Sequence, residues 1–179
     1  MFMGGGLMAK ANLLVTYDPN HAGLAKEEIV AVLKQLKTEP EFLKSEIEGL
    51  FQIKIKEPKK TVKKLVEICK KDPSMFRITF HWVPVDNWCK STIEDMQKTI
   101  KGLVKDIKEK DKWKMDITKR CYEKYNTTEL IMKLTDVVDR PKVDLKNPDK
   151  IIRVDIVGND AGISLLNKDE MLNIPSLKQ

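Results

Sequence analysis

Long apolar runs are missing from this chain. No stretch approaches the roughly 20 residues that a helix needs to cross a bilayer, so no membrane association is expected. Cysteine is scarce: Cys69, Cys89 and Cys121 are widely spaced and form no CxxC pair. That pattern fits reduced thiols in an intracellular, cytoplasmic protein and argues against a disulfide framework or a zinc site. The sequon Asn126-Thr127-Thr128 then reads as a helix cap rather than a glycan acceptor. Histidine occurs twice, at His21 and His81. A Cys121–His81 nucleophile pair would lack a third orienting group. Neither GxGxxG nor the phosphate-cradling GxxxxGKS/T occurs, and Gly4-Gly5-Gly6 neither follows a strand nor opens a helix. The His/Cys and CxxC ligands of a zinc deaminase are absent. No cofactor and no metal are expected, and the reading is of a protein that is not an enzyme.

Charge is what the chain has in quantity. Of its 179 residues, 34 % are charged and 41 % hydrophobic, and the net charge is +6. The excess is local. Residues 50–124 carry 20 Lys and Arg against 11 Asp and Glu, whereas the remainder carries 13 against 16. A basic middle with mildly acidic flanks points to a face that meets phosphate, or else to a lysine-rich solvated surface.

Periodicity orders the elements. Residues 1–9 read as a disordered leader. Residues 11–17 form a buried strand, and Ala22–Leu36 a helix with Ala25, Ile29, Val32 and Leu33 on one stripe. A short strand is expected near Ser45–Glu48, with Gly49 as a bend. Leu50–Lys56 alternates, and Pro58 opens a helix whose outer face is rich in lysine. Phe76–Val85 alternates again. This β-α-β-β-α-β order is the ferredoxin-like plan and is expected to close at residue 88. A second domain over residues 89–167 begins with a Ser91…Glu94 capping box and a helix carrying Met96, Ile100 and Val104. Trp113–Thr118 then alternates as a strand, ending in Lys119-Arg120. Asn126 and Glu129 form a second capping box, and Pro141 ends that helix. Strands at Ile151–Val157 and Ile163–Leu166 close the domain, leaving residues 168–179 as a tail. No Gly/Ser linker separates the halves, so Trp82, Trp88 and Trp113 are expected to pack between them. Carboxylate pairs such as Glu27/Glu28 and Asp136/Asp139 read as solvated helix charges.

The segments WKMDITKR, TTELIMKL, KVDLKNPDKIIRVDI and GISLL, in this order, resemble a THUMP domain, an RNA-binding module of tRNA-modifying enzymes. FRITFHWVPVDNWC and the lysine-rich helix before it resemble the stand-alone THUMP proteins that assist tRNA cytidine acetyltransferase. The resemblance implies an α+β fold, with an N-terminal ferredoxin-like domain packed on a C-terminal THUMP domain whose family-style boundary can start nearer residue 60. It implies a non-catalytic adaptor that binds the acceptor stem and 3′ end of tRNA for a separate acetyltransferase making N4-acetylcytidine. The 13 residues after Leu166 are too few for a catalytic domain. The competing readings are a ferredoxin-like protein-interaction module that is basic only incidentally, and a subunit whose active site a partner completes.

Candidate RNA-binding residues fall into three groups. Lys114, Lys119, Arg120 and Tyr122 lie on the strand and its continuation. Lys124, Asn126, Thr127, Thr128 and Arg140 surround the following helix, whose N-terminus offers free N–H groups to a phosphate. Lys142 and Asn147, with Lys146 and Lys150 beside them, lie in the stretch after it. The resemblance singles out Lys119-Arg120 and the Asn126–Thr128 helix start. Tyr122 or Tyr125 is expected either to stack on an unpaired base or to anchor in the core with its hydroxyl at the surface.

Overall fold

The computed structural model describes residues 11–179, so the expected leader lies outside the described residues. Two units divide the chain: residues 11–84 with 169–179, and residues 85–168.

In the first unit, β1 (Leu13–Tyr17) is buried along its whole length. Asp18 caps a short 3-10 turn, and α1 (Ala22–Gln35) follows. Next come β2 (Glu41–Leu43), β3 (Leu50–Lys54), α2 (Pro58–Lys71) and β4 (Thr79–Pro84). All pairs are antiparallel, in the order β2-β3-β1-β4, the arrangement expected of a ferredoxin-like plan. The apolar stripes of α1 and α2 meet alternate residues of the strands, with Ile29, Leu33, Val62 and Leu65 packed on Leu13, Val15 and Ile53. Tyr17 stacks on Phe51 at 4.3 Å between ring centres.

Two local expectations fail here. The short strand lies at Glu41–Leu43, not at Ser45–Glu48. Phe42 provides the reason: it pairs with Ile53 and meets Phe51 edge-on at 5.4 Å. Ser45 instead donates to the Leu50 carbonyl at 2.7 Å and closes the turn, while Gly49 bends the backbone with φ 82°. Glu28, in turn, is no solvated helix charge. Its carboxylate accepts from the N–H groups of Arg77, Ile78 and Thr79 at 2.7, 3.0 and 2.8 Å, and from Thr79 Oγ1 at 2.7 Å. One side chain thus fixes α1 to the entry of β4.

The second unit opens with β5 (Asn87–Lys90) and α3 (Ile93–Val104). β6 (Trp113–Arg120), α4 (Thr127–Thr135), β7 (Lys150–Val157) and β8 (Asp160–Asn167) complete it. The sheet order is β5-β8-β7-β6, with β6 parallel to β7. A parallel pair needs a crossover, and α4 lies in it. Met96 and Ile100 of α3 and Leu130 and Leu134 of α4 pack on Met115, Ile152, Val154, Ile156, Ala161 and Ile163.

Residues 87 and 88, expected to close the first domain, therefore join residues 89 and 90 in a strand of the second sheet, with Trp88 opposite Gly162. A Cβ at Gly162 would come within 3.0 Å of Val85 Cγ1 and 3.2 Å of the Trp88 ring, so a side chain there would need both neighbours to shift by a few tenths of an ångström. Helix α3 is capped by Thr92, whose Oγ1 accepts from Asp95 N at 3.2 Å. The expected cap, Ser91, is already engaged, donating to the Gly158 carbonyl at 2.8 Å.

Residues 169–179, expected as a tail, return to the first unit. The segment forms β9 (Leu172–Asn173) and α5 (Ile174–Leu177), and β9 pairs with β4. Leu172 and Ile174 belong to the first core, and Lys178 Nζ donates to the Phe76 carbonyl at 2.6 Å. Nor are the tryptophans accounted for as a shared set. Trp82 sits in the first core, edge-on to Phe76; Trp113 sits in the second core; Trp88 lies over Gly162. Among the described residues, no helix is long and apolar enough to cross a membrane.

Candidate nucleic-acid interface

β6 carries three of the candidate cations, Lys114, Lys119 and Arg120, and strand geometry sorts them. Successive side chains point to opposite faces. Trp113, Met115 and Ile117 face the helices, so Lys119 shares their side, and Lys114, Asp116, Thr118 and Arg120 occupy the other. The strand runs through Arg120, so the two terminal cations diverge and do not form one joint anion grip.

Lys119 reaches forward: its Nζ donates to the Tyr125 carbonyl at 3.2 Å, one residue ahead of the α4 cap. Asn126 and Glu129 form the anticipated capping box, with Asn126 Oδ1 accepting from Glu129 N at 2.8 Å and Glu129 Oε1 accepting from Asn126 N at 3.1 Å. That box satisfies the third N–H of the helix. The N–H groups of Thr127 and Thr128 have no partner among the described residues, and both residues are exposed. Exposed Lys124 lies in the same connection. The carboxyl end of β6 therefore holds two unpaired donors, the positive end of a helix dipole and the Lys119 ammonium group, with exposed Lys124 in the connecting segment, an arrangement suited to an anion. It is also where parallel α/β units place their ligands.

The opposite face of β6 is organised differently. Lys114 pairs with Asp116 at 3.5 Å. Thr118 donates to Asp155 Oδ1 at 2.6 Å, and the same carboxylate takes Arg153 at 3.0 and 3.1 Å. Arg153 is 9 % and Asp155 4 % exposed. Burial, the largest influence, opposes the Arg153 charge, but Asp155 and then Asp116 outweigh it and hold the guanidinium above its usual pKa. This buried pair was not singled out in the sequence; its one trace is a charge at alternate positions of an otherwise apolar strand, IIRVDIV. Arg120 stands at the end of this face and makes no side-chain hydrogen bond or ion pair among the described residues.

Three candidates are occupied. Lys114 is held by Asp116. Arg140 turns inward: Nε donates to the Ile107 carbonyl at 2.5 Å and Nη2 to that of Val104 at 3.1 Å, while Nη1 bridges to Asp139 at 2.8 Å. It serves as a cap for the carboxyl end of α3, where a cation complements the dipole, so its donors are engaged within the protein. The Tyr122 ring packs against the second core. Its hydroxyl is not at the surface, as an anchor of that kind would have it, but buried without a hydrogen-bond partner among the described residues. Burial, then Tyr125, pushes its pKa up, so it stays a neutral phenol. Tyr125 also packs on that core, and Lys133 Nζ lies 5.1 Å from its ring centre.

Lys142 and Asn147 are exposed but remote from the α4 N-terminus. Val143 bridges to Trp113, the first residue of β6. A strand rises about 3.3 Å per residue, so that end lies roughly 23 Å from Arg120. Asp144 organises this connection, accepting from Lys146 N at 3.0 Å and Asn147 N at 2.9 Å. The Asn147 and Lys146 bonds, then Lys112, hold its carboxyl below the usual aspartate range. Lys150 is tied to Asn167 Oδ1 at 2.7 Å.

A parallel β-α-β crossover within a small mixed sheet, with an open anion-facing helix start, defines the second unit as an α/β binding module. Residues 90–166 match the THUMP domain family, and a THUMP domain is present there. Solved structures share the fold. PH1313 from Pyrococcus horikoshii has a TM-score of 0.57 at 16 % identity, over 88 % of this chain and 55 % of its own. TrmN from Thermus thermophilus has 0.53 at 18 %, over 86 % and 44 %. A predicted N6-adenine-specific DNA methylase from Listeria monocytogenes has 0.55 at 8 %, over 87 % and 40 %. The chain thus spans about half the length of these structures or less. A search of the curated proteins finds no match.

Proposed function

We propose that this chain is a non-catalytic tRNA-binding adaptor. It recognises the acceptor stem and single-stranded 3′ end and presents the tRNA to a separate acetyltransferase that forms N4-acetylcytidine. The observation that carries the RNA reading is the carboxyl end of β6, where Lys119 and Lys124 flank the unpaired N–H groups of Thr127 and Thr128 inside a THUMP domain. The resemblance of the lysine-rich helix and the FRITFHWVPVDNWC stretch to the stand-alone THUMP proteins supports the adaptor role and the acetyltransferase partner. A phosphate at the helix start would accept from both N–H groups and both ammonium groups. Arg120, Lys142 and Asn147 would continue the contact along the stem, and recognition would rest on backbone shape and the free end.

Binding of intact tRNA, of tRNA trimmed of its 3′ tail, and of blunt duplex RNA tests this by fluorescence anisotropy over a salt series. The expected order is intact tRNA first. Lys119→Ala/Lys124→Ala should remove the preference for the tail and lower the salt slope by between one and two units, about 0.7–0.9 per phosphate contact. Equal binding of all three RNAs by the unaltered protein would favour the incidental-polycation reading. Sequencing the co-purified RNA and identifying the co-purified protein test the modification served.

A further inference from the structure

The first unit contains a cleft of about 1190 Å³ that the THUMP domain does not contribute to. Its walls are the end of α1 and the residues after it, the end of β3, and the first two turns of α2. Lys34, Lys37, Lys54, Lys56, Lys60 and Lys64 line it. All six are exposed, and none forms an ion pair among the described residues. Glu39, Glu41 and Glu57 also line it, leaving a net charge of +3 at the walls and no lysine neutralised by direct contact. Elsewhere in the same unit Lys44, Lys63 and Lys70 do find carboxylates, so unpaired lysines are not simply the habit of this surface.

The lining chemistry limits the occupant. Small-molecule sites are mostly apolar with a few convergent polar groups and enclose about 300–1,000 Å³. This cleft is larger, its cations project from separate elements, and no aromatic residue lines it. Without an aromatic platform it has nothing on which an unpaired base would stack. What remains is a row of ammonium donors, each a mobile point charge suited to non-bridging phosphate oxygens. Lys60 and Lys64 lie one turn apart on α2 and face the cleft together. Glu57 makes no side-chain cap on α2, so the dipole of that helix adds to the positive field.

We propose that this cleft is a second nucleic-acid contact, holding the phosphodiester backbone of duplex RNA through lysine ammonium groups and without base recognition. The proposal rests on the RNA-binding reading above. It adds a sequence-independent grip on the stem to the end recognition assigned to the THUMP domain.

The test uses the full chain with Lys54→Ala/Lys60→Ala/Lys64→Ala. A control, Lys44→Ala/Lys70→Ala/Lys71→Ala, removes the same charge from α2 and its surroundings outside the cleft. Circular dichroism should show both folded, since every altered side chain is exposed. Affinity for intact tRNA and for a blunt RNA duplex is then measured against salt. The cleft variant should lower the slope by about two units on both RNAs, and the control by less than one. An unchanged slope in the cleft variant, or an equal fall in the control, overturns the proposal. End recognition is scored separately. If the unaltered protein shows no preference for a 3′ tail, yet the cleft variant loses slope on the blunt duplex, the adaptor reading fails and the cleft stands. If tail preference is present and the cleft variant keeps its slope, the cleft fails and the adaptor reading stands.

Discussion

Single side chains fix much of this architecture, and Glu28 is the clearest case. Its carboxylate satisfies three consecutive backbone N–H groups and one hydroxyl at the start of β4. Hydrogen bonds to a charged acceptor are worth about 1.5–3 kcal/mol, and orphaned buried donors cost a similar amount. Glu28→Ala should therefore destabilise the chain by about 2–4 kcal/mol in urea unfolding, whereas Glu27→Ala, on the exposed side of α1, should change little. The sequence presents the two glutamates as equals. Only the chain crossing at Arg77–Thr79, some fifty residues away, distinguishes them. The same holds at β6: adjacent Lys119 and Arg120 look like one cationic pair, but pleat geometry sends them to opposite faces, and only Lys119 reaches the α4 entry.

At the scale of elements, local chemistry is legible where both partners are close in sequence. The Asn126/Glu129 box is complete within four residues, so it could be read directly. The cap of α3 could not, because Ser91 is diverted to the carbonyl of Gly158 and leaves Thr92 as the cap. The inward turn of Arg140 is hidden for a related reason: its partners are carbonyls at and just beyond the end of α3, at Val104 and Ile107, that no sequence pattern displays. The connection after α4 makes a pH prediction. Asp144 has a lowered pKa in the folded chain. The stability it provides is complete above the ordinary aspartate value of about 3.9 and is lost as pH falls through the lower folded value. Amide exchange of Lys146 and Asn147 should accelerate over that acid window, more than can be ascribed to intrinsic pH effects. Asp144→Asn should remove the excess. Exchange along β7, whose N–H groups lie in the sheet ladder, should not follow it.

For the molecule as a whole, the closing segment matters most. The chain leaves the first unit after β4, builds the second, and returns to lay β9 against β4. Leu172 and Ile174 are 0 % and 2 % exposed within the first core. Burying each such side chain contributes about 1.5–3 kcal/mol, so deleting residues 169–179 should cost the first unit about 3–6 kcal/mol. That is a large share of the roughly 5–15 kcal/mol that holds a typical domain folded. Exchange protection of Trp82, which pairs with Leu172, should fall sharply in the truncated chain, while protection in β7 and β8 should persist. Unchanged protection at Trp82 would show that β9 contributes no stability to the first sheet.

Taken by itself, the sequence determined the periodic elements, the β-α-β-β-α-β order of the first unit, the helix start at Asn126 and the basic centre of the chain. Each of these follows from interactions within a few residues, or from composition. Tertiary structure alone decided that residues 87–90 join the second sheet and that residues 169–179 complete the first. It also decided that Arg153 and Asp155 are buried together, and that of the proposed cations Lys114 and Arg140 are taken by protein partners while Lys119 rests on the Tyr125 carbonyl. Six lysines scattered over thirty residues, from Lys34 to Lys64, become one cleft only when α1, β3 and α2 pack together. The physical reason is common to all of these. Hydrogen bonds, ion pairs and strand pairings between distant residues depend on which backbones the fold brings together, and periodicity shows a side chain's face without showing what stands opposite it.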